Sequence, residues 1–180
     1  LGKLVSDLYD LSLSDVGALT YRMRRIDLRD VLGQSLQGFQ ERLSSHALAL
    51  DCVLPDEPLP IDGDEGRLRQ LFGNLLENTV RYTDAGGCLR IRARIAGASL
   101  EVDFMDSAPG IPDELLPRLF ERFYRVEASR NRASGGAGLG LALCQRIMTA
   151  HDGSITAAPS ELGGLKLTLG FRLAAAGGQA

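Results

Sequence analysis

Two asparagines four residues apart, Asn74 and Asn78, stand in the middle of RLRQLFGNLLENTVRYT (67–83). Leu68, Leu71, Phe72, Leu75, Leu76 and Val80 recur around them at helical spacing, so the stretch predicts an amphipathic helix with one buried face. Residues four apart lie one above the other on a helix, so both asparagines point the same way, beside the apolar stripe. Asparagine is a poor helix residue because its amide competes for backbone hydrogen bonds. A chemical reason for the pair is its neutral carbonyl oxygens. Magnesium takes hard oxygen ligands, keeps several waters and is held by few protein oxygens together with substrate phosphates. An amide oxygen serves there without adding negative charge beside a polyphosphate. Arg81 falls on nearly the same face, where a guanidinium suits a phosphate. Tyr82 offers a ring or a hydroxyl nearby. By itself this short pattern fits surface or loop-capping asparagines better.

Two further groups point toward the same kind of ligand. Asp106-Ser107-Ala108-Pro109-Gly110-Ile111 closes an alternating, strand-like run. An aspartate at a strand end can accept a hydrogen bond from an exocyclic amine such as that of adenine, and Gly110 lets backbone approach a flat ligand. Taken alone, a plain turn explains it better. Gly135-Gly136-Ala137-Gly138-Leu139-Gly140-Leu141 opens a helix. Exposed N–H groups and the helix dipole there favour an anion. The segment follows a long polar loop, so the dinucleotide-binding context fails, and no Lys-Ser or Lys-Thr follows to make a Walker loop. A flexible hinge is the other reading. Arg118, Arg122, Arg125, Arg130 and Arg132 crowd the loop between these two groups.

The elements that must hold these residues can be read along the chain. It has 180 residues, 44% of them hydrophobic and 24% charged, enough for one domain with its own core. The net charge of −3 gives no reason to expect nucleic acid or an anionic membrane as partner. No apolar run approaches the roughly 20 residues that span a bilayer, and no signal peptide opens the chain. It opens on leucine, which reads as a piece of a longer protein. Cys52, Cys88 and Cys144 form no CxxC pair and read as small buried hydrophobes; a zinc site is not expected. Leu1, Leu4, Leu8 and Leu11 predict a short helical seam over 1–16, and 17–25 a linker. Asp27 caps a second helix and Asp64 the asparagine helix. LALDCVL (48–54) reads as a strand, CLRIRARI and SLEVDFMD as a hairpin turning at Gly97-Ala98. A short helix is expected around 113–122, a helix over 138–150, and strands near 153–158 and 164–173. This order predicts an α+β two-layer sandwich, a mixed, mainly antiparallel sheet with helices on one face, preceded by a short helix.

Together and in order, these groups resemble the ATP-binding catalytic domain of bacterial sensor histidine kinases, within the superfamily of gyrase-type and heat-shock chaperone ATPases. NLLENTVRYT is similar to that family's N-box, DSAPGI to its G1 box, LFERFYR to its F-box and GGAGLGLALCQRI to its G2 box. The likeness covers about residues 27–173. SLSDVGALTY, RYTDAGG, FMDSAPG and SRNRASGG resemble an envelope-stress branch of the family.

The resemblance implies the ATPase fold of histidine kinases, with ATP and Mg2+ as ligands. Asn78 would chelate the metal, Asn74 lie beside the phosphates and Arg81 contact one; these three form the expected catalytic set. Tyr82 would touch the nucleotide and Asp106 the adenine amine, with Gly110 and Ile111 closing on the base. Gly136, Gly138, Leu139 and Gly140 would line the phosphates and hinge a lid. Arg130 and Arg132 would reach the phosphates from that lid, anchored by Phe120 and Phe123. The expected organisation is the end of a dimerisation helix and linker over 1–25, a catalytic domain over 26–174 and a tail over 175–180. Expected partners are ATP or ADP, the histidine-bearing dimerisation domain and a response regulator. The parent would be a homodimer at the cytoplasmic face of the bacterial inner membrane.

Two departures stand out. Ala108 occupies a position where the DxGxG pattern has glycine. The phosphoacceptor motif, His-Glu-x-Arg-Thr-Pro, is absent; His46 and His151 read as structural, with His151 at a helix end where a cation suits the dipole. The alternatives are an ATPase with water as acceptor, whose relatives carry glutamate where Asn74 stands, and a nucleotide-regulated docking module.

Overall fold

The structure, a computed structural model, describes residues 2–15, 18–126 and 137–175. Among the described residues four helices run over Gly2–Asp15 (α1), Leu28–Ser45 (α2), Glu65–Tyr82 (α3) and Gly140–Ala150 (α4). The same residues hold seven strands, over Arg24–Asp27 (β1), Ala49–Val53 (β2), Pro60–Gly63 (β3), Cys88–Ala96 (β4), Ser99–Ser107 (β5), Ser154–Pro159 (β6) and Gly163–Arg172 (β7). The main sheet has the order β2-β4-β5-β7-β6. β2 pairs parallel with β4, and the other neighbours are antiparallel. This is the expected mixed sheet.

Alternation along the strands decides which residues enter the core. Leu89 and Ile91, Leu100, Val102 and Phe104, and Leu167, Leu169 and Phe171 share one cluster with Leu68, Leu71, Phe72, Leu75 and Leu76 of α3 and Leu143, Cys144, Ile147 and Met148 of α4. The Phe72 and Phe104 rings stack at 5.9 Å between centroids. The intervening arginines of β4 point the other way and pair with acids. Arg90 and Arg92 bind Asp51, and Arg94 binds Asp103 at 2.8 Å. Helices therefore cover one face, and an ion-paired surface forms the other.

Asp27 and Asp64 cap α2 and α3 as expected; their side chains accept the Arg29 and Arg67 N–H groups. Three features differ from the sequence expectation. The linker expected over 17–25 runs into β1, which pairs antiparallel with β3 from Arg24↔Gly63 to Asp27↔Pro60. Each strand has only four residues, too few for a readable alternation. Pro60 sits at the first position of its strand, where a missing donor is tolerated. The short helix near 113–122 is a 3-10 helix, Asp113–Phe120, with Pro117 inside it; that proline cannot donate the hydrogen bond an α-helix would need. The leucine seam of α1 divides. Leu11 is fully buried, while Leu4 and Leu8 are 43% and 44% exposed. Polar bonds hold α1 down as well: Asp10 accepts from Arg67 at 2.7 Å and from Gln70 at 2.9 Å.

His151 is structural, but not as a cation. Its Nε2 accepts the Asp64 N–H at 2.9 Å, and its Nδ1 donates to the Ile147 carbonyl at 2.7 Å. That pair of bonds requires the neutral ring. Burial holds its pKa below the usual 6.5. His151→Ala strands the Asp64 N–H and should cost about 1–3 kcal/mol at about pH 8. The folded chain resists protonating this ring, so its contribution is present above 6.5 and lost as pH falls below it. Thermal unfolding should therefore show the gap between wild type and variant narrowing towards about pH 5.5.

Candidate functional site

α3 carries the first group, and its apolar stripe fixes the direction of that group. Asn74 is buried, 4% exposed, and Asn78 is half-buried. The start of α4 lies against Asn74: a Cβ built on Gly140 would sit 3.8 Å from the Asn74 Cγ. Asn78 makes no hydrogen bond through its side chain to the described residues. Arg81, expected over a phosphate, is held on its own helix. Its Nη2 donates to Glu77 at 3.1 Å, and Glu77 also takes Arg42 of α2 at 2.6 Å. Those bonds, that of Arg42 foremost, hold the Glu77 carboxyl below the usual range. Tyr82 is 37% exposed at the end of the helix.

α4 begins differently from α2 and α3. Its N-cap is Leu139, with no side-chain capping bond and no acid in the first turn. The first N–H groups of such a helix are left for another acceptor. Gly138 precedes it with φ +70, and a Cβ there would lie 2.7 Å from the Tyr124 carbonyl oxygen and 2.8 Å from the Phe123 carbonyl carbon. Only glycine fits. The Gly138 carbonyl accepts the Phe123 N–H at 2.9 Å, so the glycine turn is fastened to the segment after the 3-10 helix. Leu139 is buried and Phe120 partly so, while the Phe123 side chain is 61% exposed. Arg130, Arg132 and Gly136 lie outside the described residues.

The third group closes β5. Asp106 is half-buried, and its Oδ1 accepts the Leu165 N–H at 2.6 Å. Burial pushes its pKa up to about 6, against the pull of that bond. Gly164 makes the approach possible, because a Cβ there would lie 2.3 Å from Asp106 Oδ1. Gly110 is likewise needed, its imagined Cβ falling 2.9 Å from the Gly163 carbonyl oxygen; the close neighbour is a backbone turn. Ile111 beside it is half-buried. Ala108 is exposed and has no positive φ, so its methyl group imposes no strain. Its carbonyl accepts the Asp84 N–H at 3.1 Å, which ties the end of α3 to the loop after Asp106. Thr83, the C-cap of α3, is buried with its hydroxyl beside the Asp106 carboxylate, and its Oγ1 makes no hydrogen bond among the described residues.

α3 is thus the common wall: the start of α4 meets it at Asn74 and the end of β5 at Thr83. Sequence reasoning did not single out Thr83, Gly164, Leu165 or Glu77. Of these, only Glu77 had a signal, its spacing of four from Arg81. A groove of about 380 Å3 between α2 and β2, lined by Leu36, Leu43, Leu48 and Leu50 among others, includes none of the site residues. Gly164→Ala forces Asp106 and the Ser107 carbonyl to move, because its Cβ would also lie 2.4 Å from the latter. Denaturant unfolding should show a loss of about 1–3 kcal/mol.

Comparison with known proteins identifies the family of this chain. The family of histidine kinase-, DNA gyrase B- and HSP90-like ATPases matches residues 63–175. The chain is 52% identical over 169 residues to the signal transduction histidine-protein kinase BaeS of Escherichia coli K12, covering 94% of this chain and 36% of BaeS. It therefore spans about a third of that relative. Among solved structures, the Acinetobacter baumannii histidine kinase AdeS superposes with a TM-score of 0.78 at 27% identity, over 96% of this chain and 78% of that one. Full-length ShkA in complex with AMPPNP gives 0.80 at 28% identity, over 97% and 36%. The match over residues 63–175, the identity to BaeS and the fold shared with histidine kinases place this chain in the histidine kinase-, DNA gyrase B- and HSP90-like ATPase family.

Proposed function

We propose that this chain binds Mg-ATP and donates the γ-phosphate to a histidine on the dimerisation domain of a longer two-component sensor kinase. The observation that carries the reading is the meeting of Asn74 with the uncapped, glycine-led start of α4. A buried neutral amide beside free N–H groups suits a polyphosphate.

The donor set also fits magnesium. Among the described residues no three His, Cys, Asp or Glu side chains converge on a cation position. The half-buried amide of Asn78 offers the hard, uncharged oxygen that a metal shared with phosphates takes. When bound, the ion neutralises phosphate charge. Arg81 adds a cationic donor on the same helix face, and Tyr82 an exposed ring near its end. Asp106 accepts from the base amine, while Gly110 and Ile111 border that end of the site. Phosphoryl transfer between nucleotide and histidine asks the protein mainly for positioning and charge neutralisation. Asn74, Asn78 and Arg81 are assigned those roles, with Gly138, Leu139 and Gly140 presenting backbone. Arg130, Arg132 and Gly136 are assigned to the lid on the resemblance alone.

The remaining assignments follow from the same reading. Residues 1–25 belong to the end of the dimerisation helix and its linker, 26–174 to the catalytic domain and 175–180 to a tail. The parent is a homodimer at the cytoplasmic face of the inner membrane that signals envelope stress and phosphorylates a response regulator. Among the described residues no helix is long and apolar enough to cross a membrane.

Two experiments test the reading. Mixed with a histidine-domain protein and labelled Mg-ATP, the chain should label the histidine and, by itself, nothing; no label in the mixture contradicts phosphotransfer. The second uses pH. An amine donor needs the ionised Asp106, whose pKa in the free chain is about 6. Affinity for ATP should hold above that value and fall by up to tenfold per pH unit below it. Asp106→Asn should weaken binding at least tenfold and flatten the dependence. An unchanged pH profile in the variant contradicts the assignment.

A further inference from the structure

A carboxylate on the phosphate-facing side of α3 is electrostatically out of place. Glu77 lies between Asn74 and Asn78 in sequence, one turn before Arg81, and its charge should repel the polyphosphate that these neighbours are assigned to hold. Its bonds explain its presence. One oxygen takes Arg42 from α2 at 2.6 Å and the other takes Arg81 at 3.1 Å. Arg42 is itself steadied, its guanidinium 4.9 Å from the centre of the Phe39 ring. The three side chains form a row, Arg42–Glu77–Arg81, that crosses from α2 to α3 and carries one net positive charge.

We infer that Glu77 is a positioning residue for anion recognition, holding Arg81 in place for a phosphate of the nucleotide. The inference rests on the nucleotide reading above. A free arginine side chain carries about 2 kcal/mol of rotamer entropy that must be lost when it is fixed. Glu77 has already removed part of that freedom. It occupies one of the five guanidinium donors and leaves the others for phosphate oxygens. Arg42 holds the carboxylate from the α2 side, through the oxygen that Arg81 does not use. Glu77 thus acts through Arg81 and needs no contact with the ligand.

The sign of one substitution separates this from a bystander role. Removing a bystander negative charge beside a polyphosphate tightens binding. Removing the brace weakens it. We expect Glu77→Gln to lower the affinity for Mg-ATP by about 3- to 10-fold, with adenosine binding and the unfolding midpoint little changed. In an Arg81→Ala background the same substitution should cause no further loss of Mg-ATP affinity. Arg42→Ala, which changes only the α2 end of the row, should reproduce part of the loss for Mg-ATP and none for adenosine. Unchanged or tighter Mg-ATP binding by Glu77→Gln overturns the inference, as does an equal loss in the Arg81→Ala background. A wild-type chain that binds neither Mg-ATP nor adenosine overturns the nucleotide reading itself, and the inference with it.

Discussion

Burial of one stripe of α3 against the sheet is the constraint on which the site depends. Leu68, Leu71, Phe72, Leu75 and Leu76 are all at most 2% exposed. Each contributes roughly 1.5–3 kcal/mol when fully buried, and together they fix the rotation of the helix about its axis. Asn74, Asn78 and Arg81 carry little of that energy and inherit their direction from it. Polar groups that would be poor helix formers alone are carried by a helix that packing has already specified.

Around that helix the chain leaves certain groups unsatisfied where the proposed nucleotide would lie. α2 and α3 begin with aspartate caps, and α4 begins with none. Asp106 is raised to about 6 by burial, so its ionised form is costly in the free chain. In the proposed site, a donor from the ligand would offset that cost. The glycines serve a different end. Gly138 and Gly164 admit backbone and carboxylate contacts that any Cβ would block. The site is therefore built from close backbone approaches supported by a conventional apolar core, and its polar features are local departures from good helix and strand chemistry.

Much of this was legible in sequence, for identifiable reasons. The caps at Asp27 and Asp64, the turn at Gly97-Ala98 and the alternation of CLRIRARI are local signals, and all appear in the structure. The groups around Asn74, Asp106 and Gly138 were visible because each sets an unfavourable residue beside a strong pattern. What could not be read depends on pairs distant in sequence. β1 and β3 are four residues each, and only their partnership makes them strands. The need for glycine at 164 exists because Asp106 folds against it from 58 residues away. Arg42 reaches Glu77 across 35 residues, whereas Glu77 and Arg81, four apart, were within reach of helical spacing alone. The neutral state of His151 was likewise set by a distant N–H, that of Asp64.

The central claim is that the three separated groups form one nucleotide site on α3. Backbone amide signals recorded while Mg-ATP is added test it most directly. The account predicts shifts that saturate together at Asn74–Tyr82, at Asp106–Ile111 and at Gly138–Leu141, with the strands β6 and β7 beyond Leu165 little affected. Saturating shifts confined to the groove between α2 and β2, or no shifts at any concentration of Mg-ATP, would contradict it.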